Sequence, residues 1–135
     1  MRRVALSPPV AVVLAGAVSG CEAAAPGDNE TAFKPDYRGI ETRLLDGDLV
    51  NFHVTMSGAR DETDVDRYAE CAAAQYALIR GYGFARHVRT NISEEGGIWR
   101  GDAVYTISSA LPRGLKTIDA EVVAADCAEN GIPMV

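Results

Sequence analysis

From Ile40 onward, apolar and polar positions alternate in paired runs, and each pair is split by a cluster of turn-forming residues. Ile40 to Leu45 and Leu49 to Met56 flank Asp46-Gly47-Asp48, which predicts two strands of a hairpin. A slip of one residue in strand pairing exchanges the two faces, so the pattern itself selects a register. A three-residue loop opposes Ile40 to Val54, Thr42 to Phe52 and Leu44 to Val50, and collects Val50, Phe52 and Val54 with Ile40 and Leu44 on one face. The other face pairs Glu41 with His53 and Arg43 with Asn51 and is expected to be wetter.

The period then changes. Val65, Tyr68, Ala69, Ala72, Tyr76 and Ile79 recur at three and four residues, one apolar stripe of a helix. Thr63 or Asp61 is its predicted N-cap, Asp64 and Asp66 favour the positive end of the helix dipole, and Gly81 after Arg80 marks its end. Ala72, Ala73 and Ala74 keep it slim enough to lie close on a sheet, with Cys71 at the edge of the stripe. Beyond it, Gly83 to Ser93 and Ile98 to Ser108 surround Glu94-Glu95-Gly96-Gly97. Here the apolar pattern selects a four-residue loop that opposes Ile92 to Trp99, Val88 to Ala103 and Phe84 to Ile107, with Arg86 opposite Tyr105. The reverse face would pair Arg89 with Asp102 and Asn91 with Arg100. After the break at Leu111-Pro112-Arg113-Gly114, Ile118, Ala120, Val122 and Ala124 alternate with polar residues between Lys116 and Ala124, which predicts a half-buried strand. The tail from Asp126 carries an Asn130-Gly131 turn and no further periodicity. Together these elements predict an α+β domain in the order ββαβββ, an antiparallel sheet with one helix packed on one face.

Ahead of this domain, Met1-Arg2-Arg3 supplies a positive start and Val10 to Val18 an apolar run of signal-peptide length, too short to span a bilayer. The run ends in Val18-Ser19-Gly20-Cys21. That stretch resembles the lipobox of bacterial lipoprotein precursors, in which the cysteine is lipidated and becomes the first residue of the mature chain. The resemblance implies a signal peptide over residues 1–20, a lipidated Cys21 bearing palmitate-type acyl chains, and a membrane partner reached through the lipid. Several acyl chains on one cysteine anchor stably without a spanning helix. Glu22 in place of the Asp that retains enterobacterial members in the inner membrane implies the outer membrane, facing the periplasm. The alternative is a plain secretory signal cleaved near Ala23 to Ala25, which leaves a soluble periplasmic protein. Residues 21–36 are small, polar and broken by Pro26 and Pro35, and read as a flexible tether to a single domain over 37–135.

With Cys21 assigned to lipid, two of the 3 cysteines remain, Cys71 and Cys127. An even pair in an exported protein is expected to form a disulfide, which on the entropic model would constrain the unfolded chain by roughly 4 kcal/mol. The alternative is two buried thiols. At 135 residues the chain has room for one modest core. Its formal charge of -6 includes Arg2 and Arg3, so cleavage of the leader makes it more acidic still. That sign argues against nucleic acid as a partner.

No catalytic constellation emerges. The 2 histidines, His53 and His87, fall in different hairpins on faces expected to be wet, short of the three or four ligands a zinc site needs. Nucleophile elbows, phosphate-cradling loops and calcium loops are missing from the sequence, and no cofactor or metal is expected. One feature stands above the acidic background: Arg80, Arg86, His87, Arg89 and Arg100 fall near one another in the expected register. Such a patch could meet an anionic envelope component or an acidic protein face, unless Asp102, Glu94 and Glu95 neutralise it locally. The expected function is therefore a lipid-anchored envelope protein with a non-enzymatic binding, structural or sensing domain. Two alternatives stay open, an envelope enzyme whose site forms only in the fold and a redox sensor switched at Cys71 and Cys127.

Overall fold

A computed structural model describes residues 33–114 and 116–135, together with Gly16. The expected signal peptide apart from Gly16, Cys21 and residues 22–32 of the expected tether lie outside the described residues. Strand β1 (Asp36–Leu44) and strand β2 (Leu49–Ser57) form the first hairpin, followed by helix α1 (Glu62–Ile79). Strands β3 (Phe84–Glu95) and β4 (Ile98–Ser108) form the second hairpin, and the short β5 (Thr117–Asp119) runs directly into helix α2 (Ala120–Glu129). The five strands make one antiparallel sheet in the order β1-β2-β4-β3-β5. The α+β class and the antiparallel sheet are as expected; the single helix is not, because a second one ends the domain.

The first hairpin takes the expected register, with Ile40 opposite Val54, Thr42 opposite Phe52 and Leu44 opposite Val50. Val50, Phe52, Val54 and Met56 point from β2 into the core together with Ala103, Tyr105 and Ile107 from β4. A bulge between Tyr37 and Gly39 turns the start of β1 so that Tyr37 stacks edge-on against Tyr68, whose hydroxyl accepts the Gly39 amide.

The second hairpin departs from expectation. Gly96 and Gly97 form a two-residue turn at φ 59° and 82°, so Glu95 faces Ile98 and Ile92 faces Gly101 instead of Trp99. A type I′ turn needs two residues at positive φ, and a Gly-Gly pair meets that need without strain. Further along, a bulge at Val88 shifts the register between His87 and Arg89. An extra residue on one strand exchanges its faces. On one side of the bulge, Thr90 and Ile92 share the helix-covered face. On the other, Ala85 and His87 do, opposite Ile107 and Tyr105. Phe84 and Val88 are therefore not the inward residues of this strand, and Val88 is exposed.

Helix α1 begins at Asp61, whose carboxylate accepts the Thr63 amide, and ends at Gly81 with the Gly81 and Tyr82 amides returned to the Leu78 and Ala77 carbonyls. Its alanines bring it close to the sheet. A Cβ built on Gly101 of β4 would sit 2.8 Å from Val65 Cγ1. The predicted strand over Lys116 to Ala124 ends at Asp119, which caps α2 by accepting the Glu121 and Val122 amides. Ala120, Ala124 and Cys127 are buried against α1 while Val122 is exposed, so helical spacing decides this segment and not alternation. α2 is fastened to α1 by the Cys71–Cys127 disulfide, with the Cα atoms 5.9 Å apart, and by an ion pair between Arg67 and Asp126. Asn130 and Gly131 end it in the same manner as α1, with the Ile132 amide returned to the Cys127 carbonyl. No helix among the described residues is long and apolar enough to cross a membrane.

Candidate functional site

Among the described residues the helices cover one face of the sheet and nothing covers the other, the open face, and this decides where each charged side chain lies. Arg86, Arg89 and Arg100 stand on the open face, opposite Thr106, Val104 and Ser93. At roughly 3.4 Å per residue, the six residues from Arg100 to Thr106 along β4 put Arg86 and Arg100 about 20 Å apart. The three arginines form a row and not a cluster. Arg80 belongs to the far end of α1, where it donates to the Tyr76 hydroxyl at 2.7 Å, and His87 lies on the helix-covered face. The five predicted patch residues are thus distributed over three places. Asp102 pairs with Arg89 at 3.4 Å, reached diagonally since Arg89 stands opposite Val104.

Around that pair the open face holds an ordered polar network. Asn51 donates to the Asp102 carboxylate at 2.6 Å and to the Ala103 carbonyl at 3.1 Å, and is only 6% exposed although its face is uncovered. Partial burial works against the charge on Asp102, but the Asn51 amide, Arg89 and His53 together hold its carboxyl below the usual range. A shallow hollow of about 210 Å³ opens beside it, between His53, Thr55, Asn91, Ser93 and Arg100. Its donors and acceptors suit a polar or anionic contact.

A second hollow lies on the covered side, at the seam where α1 meets β3, β4 and β5. Asp66 and Glu70, four residues apart on α1, face His87, Tyr105, Lys116 and Ile118 around a space of about 320 Å³. Burial pushes the Glu70 carboxyl up against a weaker opposing pull from Arg67. Burial pushes His87 down, Lys116 adds to that, and Asp66 opposes it. Burial and then the charges of Glu70 and Asp66 hold the Tyr105 phenol above its ordinary range. His87 Nε2 is hydrogen-bonded to Thr90 Oγ1 at 2.6 Å, and its ring meets that of Tyr105 edge-on. No group of three or more His, Cys, Asp or Glu side chains among the described residues is placed to hold a metal ion.

Sequence reasoning missed this second hollow. Its one signal was the Asp66 and Glu70 spacing beside the apolar stripe, and nothing before the Val88 bulge was seen put His87 on the same side. The two histidines lie on opposite faces, so the equivalence expected of them does not hold.

Residues 37–131 match the family model of the YNQ4 C-terminal domain. A curated relative from Paracoccus denitrificans, described as "Uncharacterized 26.9 kDa protein in nqo8 5'region", is 32% identical over 104 residues, covering 73% of this chain and 41% of the relative. The chain thus spans about two-fifths of that protein's length. No solved structure matches the chain.

Proposed function

The chain belongs to the YNQ4 C-terminal domain family, and from that premise we propose that it is a lipid-anchored envelope protein whose domain is a non-enzymatic binding, structural or sensing module. In this reading Cys21 carries the lipid, the outer membrane is the site of attachment, and the domain faces the periplasm. The observation that supports its exported setting is the Cys71–Cys127 disulfide, because such bridges persist in exported proteins and are rare in reducing compartments. The disposition of the domain supports it further. Lys34 and Pro35, where the tether would end, pack against Gly58 beside the N-terminus of α1. Leu44, Leu45, Ile79 and Leu111 are exposed at the opposite end, around the first hairpin turn, the last residue of α1 and the loop after β4. A tether at one end leaves those leucines and the open face free to meet another envelope protein or an anionic component. The tie between His87 and Thr90 favours a structural role for that histidine over proton transfer.

The anchor is tested by expressing the full chain in bacteria fed labelled palmitate. The expected result is label on the native chain, partition with detergent, and loss of both in Cys21→Ser. Normal labelling or membrane partition of Cys21→Ser would overturn the anchor. The sensing variant of the reading is decided by the reduction potential of the disulfide. A value below about −300 mV makes the bridge purely structural.

A further inference from the structure

We propose that the hollow between Asp66 and Glu70 of α1 and Tyr105 of β4 is a binding site for a small organic cation bearing an ammonium group. Tyr105 is 4% exposed, yet its hydroxyl reaches the hollow and makes no hydrogen bond to any described residue. The phenol oxygen is not sealed from solvent, so it can take a donor from a ligand in place of water. Across from it, Glu70 is a half-buried carboxylate that likewise has no ion pair or hydrogen bond among the described residues. Arg67, the nearest cation on the same helix, is committed to Asp126 on α2.

Three acceptors are therefore turned toward one space: the carboxylates of Asp66 and Glu70 and the phenol oxygen of Tyr105. An ammonium group has three donors and no acceptor, which is the complement of that set. The walls suit the rest of such a ligand, because Ile118 and the rings of Tyr105 and His87 offer apolar surface to an aliphatic body. The volume, about 320 Å³, is at the lower end of small-molecule sites and fits a ligand of amino-acid size. Lys116 does not cancel the field. It lines the same hollow, but one ammonium against the two carboxylates of Asp66 and Glu70 leaves the space net negative. An anion would meet two carboxylates, and a metal ion would lack ligands, since His87 Nε2 is occupied by Thr90.

The proposal does not depend on the lipid anchor. Its test is a nuclear magnetic resonance titration of the isotope-labelled full chain with n-butylammonium chloride, with sodium butyrate and sodium chloride run in parallel at matched ionic strength. The expected result is a saturable shift of the Asp66, Glu70, His87 and Thr117 amides with butylammonium alone. Glu70→Gln and Tyr105→Phe should each weaken it by about tenfold or more, the range for a hydrogen bond to a charged group. Both are near-isosteric, and Glu70→Gln removes only a half-buried charge, so retention of the native amide spectrum is the fold control. Asp102→Asn, on the open face, should leave the titration unchanged. Shifts that grow linearly and match those from sodium chloride, equal response to butyrate, or an affinity untouched by Glu70→Gln would each overturn the site.

Discussion

Along β2, Val50, Phe52, Val54 and Met56 turn toward α1 and lose essentially all contact with water, while Asn51, His53 and Thr55 turn toward a face that no described element covers. The two sets alternate on one strand and share its backbone hydrogen bonds, so what separates them is the side chains alone. On the covered face the stabilising quantity is apolar area and fit, about 25 cal/mol for each Å² removed from water. On the open face it is a hydrogen-bonded network around Asp102, whose members each contribute about 1 kcal/mol once exchange with water is counted. One face therefore holds the fold, and the other can change its polar residues at small cost.

The sharpest way to break this contrast is to show that the faces cost the same. Phe52 lies between Tyr76 and Tyr105, with ring centroids at 5.7 and 6.1 Å. Phe52→Ala should cost about 3–5 kcal/mol by urea denaturation, because the alanine leaves a cavity that three packed elements cannot close. His53→Ala on the same strand should fall within about 0.5 kcal/mol of the native protein, because His53 lines the hollow beside Asp102 without a hydrogen bond to any described residue. Equal losses would refute the division of labour.

Next in size is the covalent fastening behind the covered face. Removing both sulfurs in the double variant Cys71→Ala, Cys127→Ala should cost about 2–4 kcal/mol, since residues 56 apart in sequence are no longer tied in the unfolded chain. Dithiothreitol should lower the thermal midpoint of the native protein and leave that of the double variant unmoved. A third, smaller effect reports how closely α1 lies on the sheet. Gly101→Ala introduces a methyl 2.8 Å from Val65 Cγ1 and 3.0 Å from Val54 Cγ2, and should cost about 1–3 kcal/mol. Val65→Ala should relieve part of that cost, so that the double variant is more stable than the sum of the single losses implies.

The contrast between the faces also explains what could be read from the chain before folding. Along β2 the alternation is unbroken from Val50 to Met56, and the register of the first hairpin followed from it. In β3 the bulge at Val88 reverses the faces halfway along, so no single alternation describes the strand. Matching apolar residues then favoured a register that the Gly96-Gly97 turn forbids. At the C-terminus, Ala120 and Ala124 satisfy a period of two and a period of four equally well. Only Cys127 as the next buried residue, and Asp119 as a cap, separate helix from strand. The Cys71 and Cys127 pair was legible because it followed from counting cysteines. The hollow at Tyr105 was not, because it combines α1, two neighbouring central strands and the entry to α2 across a reversal that only the folded backbone shows.

The smallest expected effect lies within the open face and carries its own sign. Asn51→Ala removes the amide that donates to Asp102 at 2.6 Å and should cost about 1 kcal/mol at neutral pH, discounted because the carboxylate side chain is 37% exposed and water screens it. The Asp102 carboxyl is held below its ordinary value of 3.8 in the folded protein. A depressed acid contributes stability that is fully present above the unfolded value and is lost as pH falls through the folded one. The difference between native protein and Asn51→Ala should therefore be constant from neutral pH down to about pH 5 and shrink below the ordinary value. What survives at low pH is the bond from Asn51 to the Ala103 carbonyl, which does not titrate. Urea midpoints measured for both proteins at pH 7 and at pH 3 decide the matter. A gap that widens on acidification would mean that Asn51 stabilises the protonated acid, and the open face would then be held by a neutral hydrogen bond and not by a paired charge.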